Sequence, residues 1–211
     1  MFIKTIPHIQ QPSVQRSCGA ACIKMLYEFY NIDVSYNEIW KEISLSDTTN
    51  PMNRHCFNYL MIKHLLKNGY QAVAVSVNDL SLTLSACKEN GIDVILNHRR
   101  KKNHSQGHYS VYLGSDYKNI HVNDPEKASG DSVVKFVELR RLMSDFPKSD
   151  EIVRANTLIL INFIKPMLPT KEIVCEDKTI ELFDCLVEYS TELVCYHHNP
   201  KGHWISNPHF L

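Results

Sequence analysis

Apolar side chains from residue 18 onward recur at three- and four-residue spacing. Cys22, Ile23, Met25, Leu26, Phe29 and Tyr30 form one stripe, which predicts an amphipathic helix opening at Cys18. Ser17 stands where an N-cap belongs, and Gly19-Ala20-Ala21 gives a tight first turn of small residues. The preceding stretch, residues 7–17, carries Pro7, Pro12 and many polar side chains and reads as a loop. Ser35-Tyr36-Asn37-Glu38 has the capping-box pattern and leads into a second helix through Ile39, Trp40 and Ile43. A third helix is predicted from about Met52 to Asn68, with Phe57, Leu60, Met61, Leu65 and Leu66 on one face and Gly69 as its stop.

At Tyr70 the period changes. Val73, Val75 and Val77 alternate with small residues, the pattern of a strand. Leu80 to Asn90 reads as a helix stopped by Gly91. Strands are then predicted over Asp93 to Asn97, His108 to Leu113 and Asn119 to Asn123, the last two joined as a hairpin. Phe136 to Met143 has a helical pattern and Thr157 to Ile164 that of a buried strand. Helices first and antiparallel strands second predict an α+β fold with a helical half and a sheet half. Pro166 and Pro169 then punctuate the chain. This predicts a main domain over residues 1–165 and a small β-rich extension over 166–211, either a separate module or a hairpin that extends the sheet.

Composition narrows the function classes. The chain has 211 residues, 44% hydrophobic and 22% charged, within the ordinary globular range. Its 23 basic and 23 acidic residues balance, whereas a protein that neutralises phosphates carries a basic surplus, so no nucleic-acid partner is expected. No apolar run reaches the ~20 residues of a membrane-spanning helix. The first residues lack the layout of a secretory signal, so a cytoplasmic protein is expected, or one exported without a cleavable signal. Seven cysteines are an odd number, and the simplest reading is free thiols in a reducing compartment.

Among those thiols Cys18 sits where chemistry is favoured. A helix N-terminus offers unpaired amides and the positive end of the dipole, both of which stabilise a thiolate. Alone, the residue reads first as a small buried hydrophobe, the usual fate of a free cysteine. His108 follows Gly107 at the start of a predicted strand, and Asn123-Asp124-Pro125 closes the next one. Pairing of the two strands places Asp124 within reach of the His108 ring, fixing its tautomer and stabilising the imidazolium. The loop before Cys18 supplies Gln10, Gln11 and Gln15, any of which offers an amide donor to a developing oxyanion.

These three blocks, in this order, resemble the double-glycine leader peptidases, the bacteriocin-processing papain-like cysteine peptidases and their stand-alone relatives. The resemblance rests on Ile6-Pro7-His8-Ile9-Gln10-Gln11, on Cys18-Gly19-Ala20-Ala21-Cys22, and on Gly107-His108 through Gly114 with Asn123-Asp124-Pro125; it spans about residues 3–164. It implies a papain-like fold and a cysteine peptidase acting on a peptide or protein substrate without a cofactor. Cys18 would be the nucleophile, His108 the general acid and base, Asp124 the orienting acid and Gln11 the oxyanion donor. Two features depart from the family pattern: the seven-residue step from Gln11 to Cys18, which keeps Gln10 and Gln15 as alternatives, and Ser17, where an Asp is frequent. An acyltransferase using the same residues and a catalytically silent peptide- or partner-binding module remain the other readings.

Three further clusters stand apart. Arg99-Arg100-Lys101-Lys102 reads as a solvated loop or as a lip that steers an acidic substrate. Cys175, Cys195, His197 and His198 suggest a degenerate zinc ribbon, with Lys178 where a ligand should stand. Gly202-His203-Trp204 repeats the Gly-His pattern but no acidic residue follows it. Cys22, Cys56 and Cys87 fall on predicted helices and read as core, and Tyr109 and Tyr112 as strand walls.

Overall fold

The computed structural model describes residues 3–13, 16–46, 53–101, 107–144, 146–148, 151–163, 190–195 and 203–206. The order is α1 (Cys18–Phe29), α2 (Tyr36–Ile43), β1 (Ser44–Ser46), β2 (Arg54–Cys56), α3 (Asn58–Lys67), β3 (Gln71–Val77), α4 (Leu80–Glu89), β4 (Asp93–Arg99), β5 (Gly107–Ser115), β6 (Asn119–Asn123), β7 (Asp131–Lys135), α5 (Phe136–Leu142), β8 (Phe146–Lys148), β9 (Glu151–Val153), β10 (Thr157–Asn162), β11 (Ser190–Cys195) and β12 (His203–Ser206). One sheet of eight strands, ordered β12-β11-β3-β10-β4-β5-β6-β7, dominates the fold, and each of its neighbouring pairs is antiparallel.

Strand alternation divides this sheet between two cores. Ala72 and Ala74, Ile95, Tyr109, Val111, Leu113, Ile159 and Ile161 face α1, α2 and α3. Val73, Val75, Val94, Leu96, Tyr112, Leu158 and Leu160 face α4 and α5. The alanines that interleave the β3 valines are therefore core residues, small enough for α3 to approach. Every residue of β3 and β10 is buried, unusual for antiparallel strands, which commonly keep one solvated face. The two helical groups thus take opposite faces, so α4 and α5 do not join the helical half that opens the chain.

The predicted third helix begins later than its pattern suggested. Phe57 is extended, at φ −125° and ψ 144°, and α3 starts at Asn58. The Asn58 carboxamide is buried and accepts hydrogen bonds from Tyr109 Oη and Asn97 Nδ2, each at 2.9 Å, tying the helix to the sheet. Cys56, expected on that helix, ends β2 instead and packs on α1; a Cβ on Gly19 would lie 3.0 Å from its Sγ. Strand β7 was not anticipated: its residues alternate in exposure along an edge, and a polar edge strand carries little apolar signal. Strands β11 and β12 extend the sheet at β3, while the rest of residues 166–211, including Cys175, Cys185, His197 and His198, lies outside the described residues. Among the described residues no helix is long and apolar enough to cross a membrane.

The first segment of the chain is a strap across the sheet. The Lys4 amide donates to the Leu113 carbonyl and the Gln11 amide to the Pro125 carbonyl, both at 2.9 Å. Between them, Asn123 Nδ2 donates to the Ile6 carbonyl at 3.0 Å, and His8 Nδ1 donates to Asn123 Oδ1 at 2.7 Å. Lys4 is further held by Asp93 at 2.5 Å, whose other oxygen accepts from Tyr30 Oη at 2.6 Å. Gly130 closes the turn under the strap with φ +74°, and a Cβ there would lie 2.4 Å from His8 Nδ1 and 2.6 Å from Asn123 Oδ1. Gly130→Ala should therefore cost about 2–4 kcal/mol of stability. Urea unfolding checks this through a lower midpoint at unchanged slope; an unshifted midpoint would mean that the strap does not press on this turn.

Candidate active site

Cys18 is the first residue of α1, buried at 5% exposure. Ser17 precedes it as expected of an N-cap, but its hydroxyl makes no capping bond; Oγ accepts from Tyr36 Oη at 2.6 Å instead. The first-turn amides of α1 are thus not satisfied by a side-chain cap, which suits an anionic sulfur and a nearby oxyanion. Gly19 lets this turn approach Cys56 and Met61 closely. Cys22, one turn on, is fully buried; burial above all, then the charges at Cys18 and Asp124, push its thiol well above the ordinary value. Cys22 is a packing residue.

His108 is the second residue of β5, its ring 2% exposed. Nε2–H donates to Asp124 Oδ1 at 2.7 Å. Nδ1 is buried with no hydrogen-bond partner of ordinary geometry among the described residues, and the ring interacts with Cys18. Burial opposes a charge on the ring, yet the Asp124 bond and the interaction with Cys18 outweigh it and push the His108 pKa up to about 10. For Asp124 burial acts upward, but the hydrogen bond and charge of His108 and the Glu126 amide, which donates at 2.9 Å, hold its carboxyl below the usual range. The arrangement holds an imidazolium between two groups that favour it.

Strand register explains the reach of Asp124. The β5–β6 pairing ends with Asn123 opposite Val111, and a bulge between Tyr112 and Gly114 shifts it by one residue. Asp124 therefore meets His108 from the turn that begins at Pro125, beyond the end of the ladder. Gln11 is brought to the same place: its amide is bonded to Pro125, and its side-chain Oε1 is buried with no partner among the described residues. Gln10 is exposed, and Gln15 lies outside the described residues. The structure thus gathers Cys18, His108 and Asp124, and ties Gln11 beside Asp124.

His203 stands elsewhere. It begins β12, five strand spacings from β5, about 24 Å across the sheet. Among the described residues no three His, Cys, Asp or Glu side chains group as a metal site.

One residue of the site escaped the sequence pattern. His98 lies directly opposite His108 in the β4–β5 register, with ring centroids 5.3 Å apart and planes at 84°. Its Nδ1 lies 3.0 Å from the Arg99 carbonyl, which only accepts, so Nδ1 carries the proton. Nε2 then accepts from Ser110 Oγ at 3.1 Å. Burial and the neighbouring charge of His108 hold the His98 pKa well below its ordinary value. Two touching histidines thus stay in opposite protonation states. The available signal was the cross-strand register, which emerges only once β4 and β5 are paired.

Because the folded chain binds the His108 proton more tightly, that contribution to stability is complete below the free value of 6.5 and is lost as pH climbs through about 10. His98 acts oppositely, weakening the fold as pH falls below 6.5. An NMR titration of the ring protons should find His108 charged and His98 neutral at pH 7. Asp124→Asn should bring the His108 titration down by one or more units, about 1.4 kcal/mol each. A neutral His108 at pH 7 in the parent protein would contradict this account.

Comparison with known proteins places this geometry. Residues 3–149 match the Peptidase_C39 like family. A putative C39-like peptidase from Bacillus anthracis is similar in structure, with TM-score 0.57 at 15% identity, covering 78% of this chain and 99% of that one. A double glycine motif protease from an AMS/PCAT transporter, solved with the leader peptide, gives TM-score 0.53 at 18% identity over 79% and 95% of the two chains. The peptidase domain of Streptococcus ComA, a bifunctional ABC transporter in quorum sensing, gives 0.52 at 14% over 74% and 98%. Comparison with curated proteins finds no match.

Proposed function

The chain belongs to the C39-like peptidase family of papain-like cysteine peptidases, and from that premise we propose that it hydrolyses a peptide or isopeptide bond with Cys18 as nucleophile, His108 as acid and base, Asp124 as its orienting partner and Gln11 as oxyanion donor. The observation that carries this reading is the buried His108 ring, bonded to Asp124 on one side and held charged beside Cys18 on the other.

The chemistry follows from that pairing. The Cys18 thiolate attacks the carbonyl carbon, and the carbonyl π electrons move onto oxygen. The Gln11 side-chain amide and the Cys18 backbone N–H donate to that oxygen. His108 passes its Nδ1 proton to the leaving nitrogen, the C–N bond breaks, and a thioester to Cys18 remains. Water then gives a proton to His108 and attacks the thioester, releasing the acid and restoring the thiolate–imidazolium pair. Asp124 keeps Nε2–H engaged throughout, so the proton moves only at Nδ1. A peptide substrate is supported by the transporter protease solved with its leader peptide.

A thiol-directed alkylating reagent should label Cys18 faster than any other cysteine near neutral pH, and labelling should slow in His108→Ala. Uniform labelling of the accessible cysteines would favour a silent binding module. Against a mixed peptide and ubiquitin-like panel, Cys18→Ala should abolish cleavage. Gln11→Ala should lower kcat by about 10²–10³ with KM little changed, the loss of one oxyanion donor. A Gln11→Ala enzyme with parental kcat would remove that residue from the mechanism.

A further inference from the structure

We propose that a basic cleft beside the His108 strand holds an acidic, partly apolar segment of the peptide substrate at a distance from the bond that is cut. The cleft has a volume of about 480 Å³ and lies between the end of β4 and the β7–α5 corner, lined by Arg100, Lys101, Lys135 and Arg141 together with Val137 and Leu142. Its one acidic wall residue is Glu138. Four cations, one of them paired with Glu126, against the Glu138 carboxylate are a local concentration of positive potential in a chain whose formal charges cancel.

The walls are built rather than merely solvated. The Arg99 guanidinium donates to the Arg141 carbonyl at 3.2 Å and to Ser144 Oγ, clamping the end of β4 onto α5. Arg100 pairs with Glu126 at 3.0 Å through one terminal nitrogen, while its Nε is buried and has no hydrogen-bond partner among the described residues. Val137, 65% exposed, offers an apolar contact among the charges. The cations come from two separate segments, with Glu138 and two apolar side chains among them. That spread suits carboxylates spaced along a peptide better than a compact polyanion.

The cleft borders the strand that carries His108. Arg99 pairs with Gly107, the residue before His108, so Arg100 and Lys101 leave the sheet at the catalytic strand. Glu126, the partner of Arg100, donates its amide to Asp124 Oδ1 at 2.9 Å. A peptide anchored here would lie next to the segments that carry His108 and Asp124. The occupant's identity as substrate rests on the peptidase reading above; the site itself does not.

The test compares a short fluorescein-labelled peptide of Glu interspersed with Val and Leu against its all-Gln counterpart. Anisotropy on the Cys18→Ala protein should show about tenfold tighter binding of the Glu peptide, a preference that shrinks as salt is raised. Lys135→Glu/Arg141→Glu, at two exposed positions, should erase that preference. Equal binding of the two peptides, a preference that survives the double variant, or tighter binding of a single-stranded oligonucleotide than of the Glu peptide would each overturn the proposal. Alkylation of Cys18 in the otherwise unaltered double variant, at the parental rate, shows that the variant is folded. Charge-dependent binding to a protein whose Cys18 proves unreactive would keep the cleft and remove the peptidase reading. Normal Cys18 reactivity without charge-dependent binding would remove the cleft alone.

Discussion

A charged imidazole in a nearly water-free position is the constraint to which the surrounding structure answers. Desolvation works against the His108 cation, so the charge persists only because Asp124 and Cys18 flank the ring. Neither flanking group belongs to the strand that carries the ring. Cys18 comes from a helix in the first tenth of the chain, and Asp124 from a turn beyond the end of the β5–β6 ladder. The cation is therefore a product of tertiary assembly: displacing either neighbour removes one of the two interactions that offset burial. Asn123 and Gly130 matter for the same reason, since they set the turn from which Asp124 reaches inward.

Around that ring the molecule suppresses competing charge and competing hydrogen bonds. His98 is kept neutral by burial and by the neighbouring charge of His108, so a second cation does not arise next to the first. Tyr36 draws the Ser17 hydroxyl away from the end of α1, and the helix terminus keeps its electropositive character beside the sulfur. Cys22 shares the helix with Cys18 but none of its exposure or partners, and its thiol stays protonated. One full turn of α1 thus separates the Cys18 sulfur beside His108 from a thiol that burial keeps protonated.

What the sequence could show of this follows the range of each signal. Helix α1, the capping box of α2 and the β5–β6 hairpin are written in local periodicity and turn chemistry, and they appear where expected. Cys18, His108 and Asp124 were legible because each sits at a boundary that local patterns mark. The start of α3 was not, because the apolar run through Cys56 and Phe57 looks helical, while pairing with β1 holds Arg54–Cys56 extended. His98 and the sharing of the sheet between two helical layers depend on which strands become neighbours. Strand β10 settles between β3 and β4, and nothing in the residues near Thr157 announces it.

That insertion has a consequence for how the protein comes into being. Strands β3 and β4 are near in sequence yet never touch; each is bonded to β10, which ends at Asn162. The strap that carries Gln11 is made before Leu113, Asn123 and Pro125, to which it fastens, and these follow more than a hundred residues later. During vectorial synthesis the early helices must wait with an uncovered apolar face, and contacts of such long sequence separation form slowly. In a nascent chain the Cys18 sulfur therefore waits about ninety residues for His108 and longer for Asp124, so the pairing that holds the His108 charge is a late event of synthesis.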